Sequence, residues 1–155
     1  MSKIVLAVSD RWVPDARVDA IGDFAARLNA SILAVHVAYG TEASGADVTP
    51  GERVLDQIAK QLRARSAKAQ ASIATAGGGG AGGGSGGVET LFLFSDDLGQ
   101  AILKTADEHK ATMIVLGLSS KGVLTRLIEG NVAQEIIRGA RIPVLLLPPD
   151  WMNPI

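Results

Sequence analysis

Five short apolar runs punctuate the chain: Ile4–Val8, Ile32–Val37, Val88–Phe94, Met113–Leu116 and Ile142–Leu147. Each is rich in β-branched or bulky residues and nearly continuous rather than alternating, which suits parallel strands covered on both faces. Between the runs, apolar residues recur at helical spacing. Val18, Ile21, Phe24, Ala25 and Leu28 form one stripe, and Val54, Leu55, Ile58 and Leu62 a second. Leu98, Ala101, Ile102 and Ala106 form a third, and Val132, Ile136 and Ile137 a fourth. The order βαβαβαβαβ predicts a five-stranded parallel, doubly wound α/β sheet of Rossmann-like type, strand order 3-2-1-4-5, with right-handed crossovers and helices on both faces. Ligand sites in such sheets lie beyond the carboxyl ends of the strands, where the strand order reverses. Here that brings together Ser9-Asp10, after strand one, and Gly117, at the end of strand four.

The segment Val115-Leu116-Gly117-Leu118-Ser119-Ser120-Lys121-Gly122 carries an apolar strand into a loop of small residues, and Gly130-Asn131 opens the last helix. A strand, a small-residue loop and a helix N-terminus are the parts from which α/β proteins build a phosphate-sized pocket. No G-x-G-x-x-G follows strand one, where the chain reads Ser9-Asp10-Arg11-Trp12, and no G-x-x-x-x-G-K-[ST] occurs anywhere. These absences argue against a dinucleotide dehydrogenase and a P-loop NTPase. There is no G-x-S-x-G elbow either, so a Ser-His-Asp hydrolase is poorly supported. His36 falls inside an apolar strand and His109 at the polar end of a helical stripe, and both read as structural. Asp96-Asp97 precedes the third stripe, where a side-chain oxygen caps free backbone N–H groups and negative charge suits the helix dipole. Asp15, after Pro14, has the same reading at the first helix.

Composition narrows the class. A length of 155 residues with 47% hydrophobic and 20% charged content suits one soluble globular domain spanning 1–155. Residues 77–87 are glycine broken only by Ala81 and Ser85, a low-complexity tract expected to be a flexible intradomain loop. As a coil it reaches on the order of 18 Å, enough to return from helix two to strand three. The formal net charge of -1 and the lack of a dense Lys/Arg run give no footprint for nucleic acid. Without cysteine there is no disulfide, thiolate nucleophile or Cys-bound metal. The first apolar run ends at Asp10 and Arg11, too early for a signal peptide or membrane span, so the expected location is cytoplasmic with no membrane partner.

The five-strand pattern, the late glycine loop and the closing Ile142-Pro143-Val144-Leu145-Leu146-Leu147 resemble the universal stress protein (UspA-like) family over nearly the whole chain. Nucleotide-binding members link strand four to helix four through G-x2-G-x9-G-[ST], whose backbone wraps phosphates at a helix N-terminus. The register here gives Gly117, Ser120, Gly130 and Asn131, so Ser120 stands where the pattern has glycine and Asn131 where it has Ser or Thr. Gly122 lies two residues beyond the missing glycine, and Asn131 also suits an N-cap. The family commonly carries a ribose-binding aspartate at the end of strand one; Ser9 occupies that position, with Asp10 next to it. By the same resemblance Val37 would contact adenine. The implied ligand-contact set is Ser9, Asp10, Val37, Leu116, Gly117, Ser119, Ser120, Gly122, Gly130, Asn131 and Val132, with ATP or AMP as ligand and magnesium accompanying ATP.

Two functional classes are consistent with these residues. One is an adenine-nucleotide-binding stress protein whose occupancy alters what it touches; the other is a homodimeric interaction module of the same fold, without nucleotide, acting through a protein partner. ATP hydrolysis is a weaker reading, because the loop from Leu118 to Asn131 offers only Glu129 as a carboxylate and no catalytic residue stands out. A homodimer through Ile142–Leu147 is expected independently of ligand: the run is long and apolar, contains Pro143 near its start, and as strand five lies at the sheet edge. Trp151 and Met152 are expected at the rim of that interface.

Overall fold

The computed structural model describes residues 2–8, 15–40, 49–75, 87–117 and 132–147, with side chains up to residue 65 in the third stretch. Its strands are β1 (Ser2–Ala7), β2 (Ala30–Tyr39), β3 (Val88–Ser95), β4 (Met113–Gly117) and β5 (Val144–Leu147). The helices are α1 (Asp15–Arg27), α2 (Thr49–Thr75), α3 (Leu98–Glu108) and α4 (Val132–Gly139). The five strands form one parallel sheet in the order β3-β2-β1-β4-β5. This is the doubly wound α/β fold that the apolar runs predict.

Alternation along each strand explains why those runs are continuous, since neighbours face opposite ways and both faces are covered. Ile4 and Leu6 of β1, Ile32 and Ala34 of β2 and Val115 of β4 share one core with Val18, Ile21 and Ala25 of α1 and Val54, Leu55, Ile58 and Leu62 of α2. Val5, Leu33, Val35, Ile114 and Leu116 point to the other face, where they meet Ile102 and Ala106 of α3 and Ala133 and Ile136 of α4. The register is pinned at the amino ends, where the Thr112 N–H donates to the Lys3 carbonyl at 2.8 Å.

Three details depart from the sequence pattern. Leu28 and Ile137, which fall on apolar stripes by spacing, are 44% and 52% exposed: Leu28 lies just past the last residue of α1, and Ile137 takes the outer side of α4. Strand five starts at Val144 rather than Ile142; Pro143, lacking an N–H, precedes it and gives its carbonyl to the Ile114 N–H at 3.0 Å. Helix α2 continues to Thr75, far beyond the stripe that ends at Leu62, because Arg63–Thr75 is rich in Ala, Lys, Gln and Arg, strong helix formers that need no apolar stripe. The glycine tract lies outside the described residues except for Gly87, whose carbonyl accepts from the Ile32 N–H at 3.0 Å.

Candidate functional site

The strand order reverses between β1 and β4, which lie side by side with Ala7 opposite Leu116. On β2, Ala7 is opposite Val35, so Val37 lies beyond the last rung of β1, at the carboxyl edge of the sheet. Gly117 closes β4 opposite Leu147, and Val132 opens α4 at the same edge. Val8, Val37, Leu116, Gly117 and Val132 are therefore the described residues that frame the switch point. Ser9, Asp10, Ser119, Ser120, Gly122, Gly130 and Asn131 lie outside the described residues, as do Glu129, Trp151 and Met152.

The described candidates offer apolar surface and backbone more than side-chain chemistry. Leu116 is 2% exposed and its side chain belongs to the core under α3 and α4, so that side chain is turned away from the edge. Val37 and Val132 are half-buried and pack against the same cluster. Past Tyr39 the chain turns through Gly40, whose φ of 102° suits glycine and whose N–H donates to the Ser95 carbonyl at 3.1 Å.

Every helix begins at the carboxyl edge, and the starts of α3 and α4 are joined there by their side chains. The first turn of α3 is already provided for: Asp97, its N-cap, accepts from the Gln100 N–H at 3.1 Å, and the Ser95 hydroxyl accepts from the Asp97 N–H at 3.0 Å. The carboxylate of Glu135, in the first turn of α4, also accepts from the Gln100 side-chain amide at 3.0 Å. Negative charge from Glu135 is thus directed at the start of α3, where the helix dipole favours it. The Asp97 expectation holds as a cap; Asp15 sits in the first turn of α1, where its charge suits the dipole.

The His36 ring is buried, as a structural histidine should be, with Nδ1 donating to the Val8 carbonyl at 2.8 Å. A carbonyl only accepts, so Nδ1 carries the proton. Gly51, in the first turn of α2, lies against Nε2: a Cβ there would overlap the imidazole. Periodicity gives no sign of this contact, because His36 stands within an apolar run and Gly51 reads as an ordinary early helix residue. His109 is the C-cap of α3, its N–H donating to the Thr105 carbonyl at 3.0 Å.

A cleft of about 1030 Å³ lies elsewhere, along α3, lined by Leu91, Leu93, Leu103, His109 and Arg141 among others. It is open, and of the charged groups on α3 beside it Lys104 and Glu108 pair with each other at 3.8 Å in solvent. Topology, rather than volume, directs attention to the β1–β4 edge. Among the described residues no group of three or more His, Cys, Asp or Glu could hold a metal ion, and no helix is long and apolar enough to cross a membrane.

The model of the universal stress protein family matches residues 1–148, and the chain belongs to that family. No match is found among curated proteins. Solved structures share the fold. A universal stress protein from Archaeoglobus fulgidus is 22% identical at a TM-score of 0.66, covering 96% of this chain and 94% of its own. The universal stress protein from the same organism in complex with dAMP is 20% identical at 0.65, with 96% and 98% covered. A universal stress protein in complex with cAMP is 17% identical at 0.63, again with 96% and 98% covered.

Proposed function

We propose that this chain is an adenine-nucleotide-binding regulatory protein that takes ATP or AMP at the carboxyl edge where β1 meets β4. The observation that carries the reading is the reversal of strand order with Ala7 opposite Leu116, which places Val8, Val37, Gly117 and the start of α4 around one edge. The dAMP and cAMP complexes of proteins with this fold support adenine nucleotides as the ligand class. In this reading the backbone from Gly117 through Ser119, Ser120 and Gly122 to Gly130 surrounds the phosphates, and Asn131 offers its amide at the head of α4. Asp10 or Ser9 holds the ribose, Val37 contacts adenine, and magnesium accompanies ATP. Occupancy stabilises the bound conformation by mass action and so biases what the protein touches.

Calorimetric titration with ATP and magnesium, joined to mass analysis of nucleotide released on denaturation, tests this. Micromolar binding that is lost in Gly130→Val supports it. No heat and no released nucleotide would sink it.

Ser120 and Asn131, at the two positions where the phosphate pattern is not kept, favour a second reading: a non-nucleotide-binding homodimeric module that acts through a protein partner in the stress response. A dimer through β5 is compatible with either reading. It is supported by Leu146, 40% exposed on the edge strand β5.

A further inference from the structure

Val8 is the last described residue before Ser9-Asp10, and both of its backbone groups are tied to β2. Its N–H donates to the Val35 carbonyl at 2.8 Å, and its carbonyl accepts from His36 Nδ1 at 2.8 Å. The His36 ring also packs against Phe92 of β3, with centroids 5.3 Å apart and planes tilted by 43°. Its far edge, Nε2 and Cδ2, abuts Gly51 in the first turn of α2. One imidazole thus touches the exit of β1, the start of α2 and the neighbouring strand, one residue away from Val37.

From this geometry we infer that His36 is a positioning residue for the nucleotide site: it fixes the carboxyl end of β1 at Val8, which borders the site, and couples that point to the seating of α2. This rests on the nucleotide reading above. A site held in place before its ligand arrives does not spend binding energy on ordering itself. Removing the Nδ1 donor frees the Val8 carbonyl, at the carboxyl end of β1. Coupling is reciprocal, so bound nucleotide also steadies the first turn of α2 through the same ring.

The test separates positioning from packing. His36→Phe keeps a ring of similar size but has no donor; His36→Asn loses most of the packing yet places an amide N–H near the position of Nδ1. For the wild type, His36→Phe and His36→Asn, ATP affinity is measured by calorimetry with magnesium and thermal stability by calorimetric melting. The expected result is a crossed pattern. His36→Phe weakens ATP binding about tenfold, the equivalent of one buried hydrogen bond, while His36→Asn binds within about threefold of wild type although it melts lower. Gly51→Ala, which pushes a methyl group onto the ring from the opposite side, weakens ATP binding as well, and the smaller side chain of His36→Asn relieves that loss in the double variant. Affinities that track melting temperature across the set, or that stay at the wild-type value in all variants, overturn the inference and leave the nucleotide reading standing. A wild-type protein that binds no ATP overturns both.

Discussion

At Lys110 a charged side chain sits at φ 53°, the left-handed region that glycine tolerates and other L residues enter at a cost of about 1 kcal/mol. The reason is the end of α3: the Ala111 N–H reaches back to the Ala106 carbonyl at 2.8 Å and the Lys110 N–H to the Asp107 carbonyl at 3.1 Å, a Schellman closure. Lys110→Gly is therefore expected to raise stability by about 1 kcal/mol in denaturant unfolding. Gly51 gives the opposite sign. Alanine is the better helix former, yet its Cβ would overlap the His36 ring, so Gly51→Ala should lower stability by about 1–3 kcal/mol, the usual cost of overpacking. An increase in melting temperature would show that the ring moves aside freely. Neither position announces itself in the pattern of apolar residues. The left-handed turn at Lys110 comes from the hydrogen bonds that close α3, and the room that Gly51 leaves is visible only once β2 and α2 are packed together.

Among the elements, α1 and α2 are joined on their outer side by Arg65, which donates from Nε to Asp23 Oδ1 at 2.8 Å and from Nη2 to Oδ2 at 2.7 Å, with Asp19 at 3.3 Å from Nη1. The hydrogen bond from Arg65 is the main cause that holds the Asp23 carboxyl below its ordinary value. A carboxyl with a lowered folded pKa adds stability above the unfolded pKa and loses it as pH falls through the folded one. Because the pair is about half exposed, Asp23→Asn should cost less than about 1 kcal/mol at neutral pH. In unfolding curves collected against pH, the difference from wild type should vanish in acid. Helix α4 depends instead on burial: Ile136 is 0% exposed between sheet and α3, and Ile136→Ala should cost about 2–5 kcal/mol. The five strands and four helical stripes are readable in the sequence because burial on both sheet faces forces continuous apolar runs and each helix buries one side. Element ends are less readable. They are set by Asn29 at φ 51°, by the missing N–H of Pro143 and by helix propensity beyond Leu62, none of which alters the apolar pattern.

For the whole molecule, the sheet order carries the functional argument, and it arises from alternation of strand and helix with right-handed crossovers. The edge at which to look for a site is readable for that reason; the contacts made there by His36 and Glu135 are not, since they join residues far apart in the chain. The dimer proposed through β5, the last strand of the sheet, is tested at the same scale. Leu146→Lys is expected to yield a folded monomer in sedimentation equilibrium where the wild type is a dimer, and a wild type that is monomeric at all concentrations would remove the interface. Whether an adenine nucleotide occupies the β1–β4 edge can be read from backbone amide resonances during titration with ATP and magnesium. Binding there should shift Val8, Val37, Leu116, Gly117 and Val132 and leave Thr112 and the other amino-end residues unmoved. No shifts, or shifts gathered along the α3 cleft at Lys104, His109 and Arg141, would contradict it.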